Sequence, residues 1–127
     1  MRPGAELQAI SPTALRFAVW VWLAFLIAGS VQPVRPDFVK TSHRLIHYVA
    51  FAGAAVLLLW VSPSRRQEIL RAGFAFLLGL SLELAQHLLY RNPVEWRDIV
   101  DDALAVLLVF TLHRLAGARK PAPSPTE

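Results

Sequence analysis

The chain has 127 residues, of which 55% are hydrophobic and 17% are charged, and its mean hydropathy is +0.44. Soluble domains usually carry roughly a quarter charged residues, so this deficit indicates a single membrane domain. The lack of cysteine excludes disulfides and thiolate metal sites, and the net charge of +4 comes from basic residues scattered through short loops, which argues against a nucleic-acid partner.

Four long apolar segments follow one another along the chain, at residues 14–31, 45–62, 69–90 and 99–117. Each has about 18–22 residues, the length that a helix needs to cross roughly 30 Å of hydrocarbon. Their apolar residues run continuously instead of alternating, so strands are not expected. The sequence therefore predicts an all-α, polytopic membrane protein that forms a four-transmembrane-helix bundle.

Proline-containing turns separate these segments. Residues 31–36, VQPVRP, end the first segment, and Asn92-Pro93 ends the third. Proline lacks an N–H and disfavours helix just before itself, so helices are expected to stop at these points. Before the third segment, either Pro63 or Ser64 is expected to stand at the start of the helix.

The two ends of the chain differ from the apolar middle. Residues 1–13 are expected to form an N-terminal cytoplasmic segment, and the proline-rich residues 118–127 a disordered tail. The first apolar segment has an alternative interpretation as a signal peptide, with residues 28–30 as its cleavage site. Since the rest of the chain is itself strongly apolar, a first membrane helix is the simpler interpretation.

The distribution of lysine and arginine predicts the orientation of the four spans. With an even number of spans, both termini share a side with the turn between the second and third segments. That side holds eight of the thirteen basic residues, and the opposite side holds five. Because basic loops favour the cytoplasm, both termini are predicted to be cytoplasmic.

Polar residues gather at the outer ends of the spans in this orientation. The second and fourth segments begin at the outer face. In the third segment, Glu83 lies roughly 18 Å along the span, which places it beyond the midplane in the outer half. Spacings of three and four residues place each polar set on one helix face. The sets are His43, Arg44 and His47; Glu83, Gln86 and His87, with Arg91 beyond them; and Asp98, Asp101 and Asp102.

Glu83 is the acid that lies deepest in a predicted span. A carboxylate that faces lipid is costly, so Glu83 is expected to face the interior of the bundle. There it is expected either to pair with a cation, with Arg44, Arg91 or His47 as partner, or to stay protonated. Two roles fit such a residue: a proton or headgroup site, and a structural ion pair that joins helices. The sequence leaves both open.

The acids of the fourth segment also have structural explanations. Asp98 is expected to cap the helix, where a carboxylate accepts backbone N–H bonds, and this is compatible with a role in a site. One of Asp101 and Asp102 is expected to be solvated. Gly73 and Gly79, in the third segment, are expected to allow close helix packing rather than to bind phosphate.

The order of these polar residues resembles the VanZ-like family of small bacterial membrane proteins. That family has an Asp-Lys-x-x-His-x-x-x-Tyr/Phe segment entering one helix and Glu-x-x-Gln near the end of another. An Arg follows, and Asp-x-x-x-Asn-x-x-Gly opens the last helix. The resemblance covers about residues 40–109, with Arg44 at the Lys position, and the matching residues are His47, Phe51, Glu83, Gln86, Arg91 and Asp98.

Three positions depart from the family pattern. His43 stands in place of the Asp, Asp102 in place of the Asn, and Ala105 in place of the Gly. The resemblance implies a multi-pass protein of the bacterial plasma membrane. Because the founding member is associated with resistance to a glycopeptide that binds cell-wall precursors, it also implies an envelope role at the outer leaflet. The implied partners are membrane lipids and a lipid-linked or cell-wall precursor.

Two functions are consistent with this polar set. In the first, an outer pocket engages a lipid or precursor headgroup, with the arginines meeting its anion. In the second, the protein is a membrane-embedded enzyme. Its paired acids and His47 either do acid/base work or hold a divalent metal together with His43, His87 and Asp102. A purely structural or assembly role is the third possibility. No cofactor, metal ion or catalytic residue is assigned, and the candidate pocket comprises His43, Arg44, His47, Glu83, Gln86, Arg91, Asp98 and Asp102.

Overall fold

A computed structural model describes residues 10–31 and 40–118, and within them the chain forms four α-helices. The predictions for residues 1–9 and 119–127, a cytoplasmic segment and a disordered tail, lie outside this part of the chain. The prediction of an all-α fold is confirmed for the described residues. The helices are α1 (Pro12–Ser30), α2 (Lys40–Trp60), α3 (Arg65–Tyr90) and α4 (Trp96–Ala118).

Local chemistry explains where the helices begin and end. The Ser11 hydroxyl accepts the Ala14 N–H at 3.1 Å at the start of α1, and Ser64 does the same for Gln67 at 3.4 Å at the start of α3. The backbone of Arg91 then turns into the left-handed region, with φ 55°, and ends α3. Of the two residues predicted for the start of α3, Pro63 and Ser64, the structure thus places Ser64 at the cap of the helix.

Each of the last three helices begins before the apolar segment that predicted it. The predicted segments start at residues 45, 69 and 99, whereas the helices start at Lys40, Arg65 and Trp96. The apolar pattern marks only the residues that avoid water. The polar first turns are helical as well, and in α2 and α4 these turns carry the candidate pocket.

Contacts between helix ends define one end of the molecule. The Gln86 amide near the end of α3 donates to the carbonyl of Ser30 at the end of α1. Arg44 in the second turn of α2 binds Asp101 in the second turn of α4. This end, which we call the His47 end, combines the ends of α1 and α3 with the starts of α2 and α4.

The opposite end joins the remaining termini. Glu68 at the start of α3 lies 3.2 Å from both His113 and Arg114 near the end of α4. Arg71 donates to the carbonyl of Leu58 near the end of α2 at 3.3 Å. We call this the Glu68 end, and it follows that successive helices alternate in direction.

Three of the helices are long and apolar enough to cross a membrane: Pro12–Ser30, His43–Trp60 and Arg65–Tyr90. The fourth helix has 23 residues but carries Asp98, Asp101 and Asp102 at its start and Arg114 near its end. Every stretch of α4 that is long enough to span holds more than two charged residues, so composition alone does not mark it as a span.

The interior of the molecule is apolar and small-residue rich. Ala54, Ala55 and Ala75 are each no more than 1% exposed, so the helices approach closely where these residues meet. The Trp22 indole of α1 lies over Gly53 of α2 and donates from Nε1 to the Ala50 carbonyl at 2.9 Å. A side chain at Gly53 would overlap that ring, so this glycine sets the approach of α1 to α2.

Candidate functional site

The candidate site is an interface of charged and polar side chains between the N-terminal parts of α2 and α4 at the His47 end. Helix α2 contributes one arginine, two histidines and a tyrosine, and α4 contributes three aspartates. The aspartates are almost fully buried, at 2–4% exposure, although they lie in a helix start. The members are His43, Arg44, His47, Tyr48, Asp98, Asp101 and Asp102.

Asp101 is the acceptor for two side chains of α2. Arg44 donates to its carboxylate from Nε at 2.7 Å and from Nη2 at 3.0 Å, which is a two-point, charge-assisted contact. The Tyr48 hydroxyl donates to the same carboxylate at 2.9 Å. The expectation that Asp101 or Asp102 is solvated is therefore wrong for both, since burial is accompanied by specific partners.

His47 lies between two carboxylates. Its Nδ1 is 2.9 Å from Oδ1 of Asp102, and its Nε2 is 3.5 Å from Oδ2 of Asp98. His43, one turn earlier, has its Nδ1 3.6 Å from the same Oδ2 of Asp98, and the two imidazole centroids are 4.7 Å apart. The spacing of four residues thus places both rings over one carboxylate, as the helical period requires.

Asp98 does not cap α4. The helix begins at Trp96, and the Asp98 N–H donates to the Glu95 carbonyl at 2.9 Å, so Asp98 belongs to the first turn. Its carboxylate faces the two histidines of α2 instead of a backbone N–H. The capping prediction was wrong because α4 starts earlier than its apolar segment.

Glu83 is buried, as predicted, but its expected cationic partner is absent among the described residues. Its Oε1 accepts the backbone N–H of Glu95 at 2.6 Å and so connects α3 to the start of α4. The arginines named for this pairing lie elsewhere: Arg44 is bound to Asp101, and Arg91 ends α3 in an exposed position. Glu83 therefore acts here as a helix-to-helix connector.

The remaining predicted members lie at the edge of the site. Gln86 binds the carbonyl of Ser30, and His87 is exposed, with its Nδ1 2.5 Å from the Asn92 carbonyl. Arg91 makes no ion pair within the part of the chain that the structure describes. The structure thus does not bring His87 to the histidines of α2, as the metal version of the prediction required.

Gly79 of α3 forms the floor of the site. A Cβ atom added there would lie 2.9 Å from Oδ2 of Asp102 and 3.1 Å from the ring of Phe51. Phe51 in turn stacks on His47, with centroids 6.4 Å apart and planes 12° apart. The prediction of close packing is confirmed at Gly79 but is wrong at Gly73, where nothing lies within 4 Å.

Sequence analysis missed Tyr48 and undervalued Asp101. A signal for both was present, because Tyr48 stands four residues after Arg44 and Asp101 stands three after Asp98. On α2, Arg44 and Tyr48 lie on a face next to that of His43 and His47. On α4, Asp101 likewise lies beside the face of Asp98 and Asp102. The two faces give two separate contacts: Arg44 and Tyr48 with Asp101, and the histidines with the other two aspartates.

A second polar cluster occupies the Glu68 end. Glu68 contacts His113 and Arg114, and these residues line a cavity of about 290 Å³ together with Gly117. One acid here contacts two bases, whereas at the His47 end three buried aspartates contact one arginine, two histidines and a tyrosine. The His47 site is therefore the larger of these two polar clusters.

Comparison with known proteins adds no assignment to this geometry. The chain matches no protein-family model, no curated protein and no solved structure.

Proposed function

We propose that the chain is a VanZ-like protein of the bacterial plasma membrane with four spans and both termini in the cytoplasm. In this arrangement the His47 end faces the outer leaflet and engages the phosphate-bearing headgroup of a lipid or a lipid-linked cell-wall precursor. The observation that carries the proposal is the convergence of seven charged or polar side chains from α2 and α4 at one end of the molecule.

The exposed surface of α4 supports the proposal of a fourth span. Its exposed apolar residues recur every three or four positions and so form one face about 22 Å long. Its aspartates lie among the buried residues and contact α2, so no carboxylate of this helix has to meet lipid. The exposed face consists of Val100, Leu104, Leu107, Leu108, Leu112 and Leu115.

Two arginines are available to an anion at the His47 end. The Arg44 side chain is 55% exposed although Asp101 holds its Nε and Nη2, so its Nη1 is left to meet a further acceptor. Arg91 is exposed at the end of α3, at the same end of the molecule. A guanidinium that is held on one side and open on the other suits recognition of a phosphate oxygen.

The proposed topology predicts which turns can be labelled from outside the cell. The chain has no cysteine, so Pro63→Cys and Pro93→Cys each introduce a single thiol at an exposed turn residue on opposite ends of the molecule. In intact cells, a membrane-impermeant maleimide is expected to label Pro93→Cys and to leave Pro63→Cys unlabelled until the cells are opened. The reverse pattern, or equal labelling of both in intact cells, would contradict the orientation or the span count.

Headgroup recognition predicts a lipid-binding defect in arginine variants. Delipidated protein in detergent is offered phosphatidylglycerol or a polyprenyl phosphate, and bound lipid is counted by native mass spectrometry. Arg44→Gln and Arg91→Ala are each expected to weaken binding about tenfold, because a charge-assisted hydrogen bond to phosphate contributes roughly 1.5 kcal/mol.

The matched control is Arg66→Ala, which removes an exposed arginine at the Glu68 end. It should bind both lipids as the parent protein does. A preference for the polyprenyl phosphate would identify a precursor carrier as the ligand, and equal binding would identify the lipid phosphate alone. Binding that is the same in all three variants would refute headgroup recognition at the His47 end.

A further inference from the structure

We propose that His43, His47 and Asp98 form a site for a divalent transition-metal ion, with Asp102 orienting His47 from behind. The three ligand atoms lie within 4.8 Å of one another. They come from the N-terminal part of α2 and the first turn of α4, so a bound ion would connect these two helices. The site itself does not depend on the proposed headgroup function.

The distances favour shared coordination over hydrogen bonding. Oδ2 of Asp98 lies 3.6 Å from Nδ1 of His43 and 3.5 Å from Nε2 of His47. An N–H···O hydrogen bond is about 2.7–3.2 Å long, so both contacts are too long. Ligands that surround a tetrahedral zinc ion at about 2.0–2.1 Å are roughly 3.3–3.5 Å apart, which is close to the observed spacing.

The surroundings of His47 match those of a metal ligand. A histidine that binds a metal ion through one ring nitrogen usually donates a hydrogen bond from the other nitrogen to a carboxylate. This hydrogen bond fixes the orientation of the ring. His47 has this arrangement, with Asp102 2.9 Å from Nδ1, while Nε2 faces Asp98. Phe51 stacks on the ring and Gly79 leaves room for the Asp102 carboxylate, so the orientation is set by packing as well.

The donor set and its exposure indicate the class of metal and of ligand. Two imidazoles and one carboxylate suit zinc and its neighbours in the first transition row, and three protein ligands leave a position open. The His43 side chain is 34% exposed and the Asp98 side chain 6% exposed, so His43 is on the more accessible side of the site. With the proposed headgroup, and resting on that proposal, the ion would polarise a phosphate oxygen.

Cobalt binding tests the site without any lipid. Protein is purified in detergent, stripped with a chelator and titrated with Co²⁺, whose visible absorption reports its coordination. One equivalent is expected to bind, and Zn²⁺ is expected to displace it. His43→Ala and Asp98→Asn should abolish saturable binding, and Asp102→Asn should weaken it about 10–100-fold, the usual effect of losing such an orienting partner.

Two histidine variants serve as controls. His87→Ala removes an exposed imidazole at the same end, and His113→Ala removes one that pairs with Glu68 at the other end. Both should bind cobalt normally. Because His43 is partly exposed, His43→Ala should keep the elution volume and thermal midpoint of the parent protein, which separates loss of a ligand from loss of the fold.

Three results would overturn the site: no saturable cobalt binding by the parent protein, unchanged binding by His43→Ala and Asp98→Asn, or loss of binding in His87→Ala. None of them bears on lipid binding by metal-free protein. The metal site and headgroup recognition therefore succeed or fail separately.

Discussion

Gly79→Ala is expected to lower the free energy of unfolding by about 1–2 kcal/mol and to disturb the His47 site. The added Cβ would lie 2.9 Å from Oδ2 of Asp102 and 3.1–3.2 Å from the Phe51 ring. Both neighbours are buried, at 3% and 2% exposure, and cannot turn into solvent. Overpacking of this kind costs about 1–3 kcal/mol, and the better helix propensity of alanine offsets up to roughly 1 kcal/mol.

The matched control is Gly73→Ala, two turns earlier in α3. An added Cβ there meets nothing within 4 Å, so only the helix propensity changes. This variant is expected to be more stable than the parent protein by roughly 0.5–1 kcal/mol. Both variants are measured by thermal or denaturant unfolding in the same detergent.

The Gly79 variant also gives a second, more local readout. Since the added atom displaces Asp102, the hydrogen bond to His47 at 2.9 Å should be lost or lengthened. Cobalt affinity should then fall in Gly79→Ala and remain unchanged in Gly73→Ala. Equal stability of the two variants would mean that α3 lies further from Asp102 and Phe51 than in this structure.

Glu83→Ala is expected to lower the free energy of unfolding by about 2 kcal/mol. Glu83 is 7% exposed, and its carboxylate accepts the Glu95 N–H at 2.6 Å, which ties α3 to the first residues before α4. Hydrogen bonds to charged groups contribute about 1.5–3 kcal/mol, and alanine leaves the donor without its acceptor. Unfolding in detergent measures the loss.

Two variants distinguish this connection from a general effect of removing charge. Glu83→Gln keeps an acceptor oxygen, so it should retain most of the stability. Glu95→Ala removes an exposed side chain while leaving the donating backbone N–H in place, so it should be neutral. If Glu83→Ala is as stable as the parent protein, or Glu95→Ala is equally destabilised, the connection does not hold α3 to α4.

The helices themselves could be predicted because each depends on neighbouring residues. Continuous apolar runs exclude strands, and proline and serine end or begin helices through their own backbone chemistry. The residues of the site could be placed at helix ends for the same reason. The starts of the last three helices were placed too late, because polar first turns such as that of α4 carry no apolar signal.

Pairing within the site could not be predicted in the same way. Several acids and bases occur at one end, and charge alone permits many combinations of them. Each helix residue is rotated by about 100° from the last, so the choice depends on how α2 and α4 are turned toward each other. Asp101 is thus hydrogen-bonded to Arg44 and Asp102 to His47, although the two aspartates are adjacent in the sequence.

The sequence by itself determined an all-helical chain with membrane-length apolar segments and a set of polar residues at their ends. Only the tertiary structure decided that Arg44 pairs with Asp101 and that Glu83 accepts a backbone N–H. It also decided that His43, His47 and Asp98 lie close together. The physical reason is distance along the chain. Local periodicity sets which face of a helix a residue occupies. Which residue it contacts more than fifty positions away depends on how the helices pack, and this packing is closest at Gly79 and Gly53.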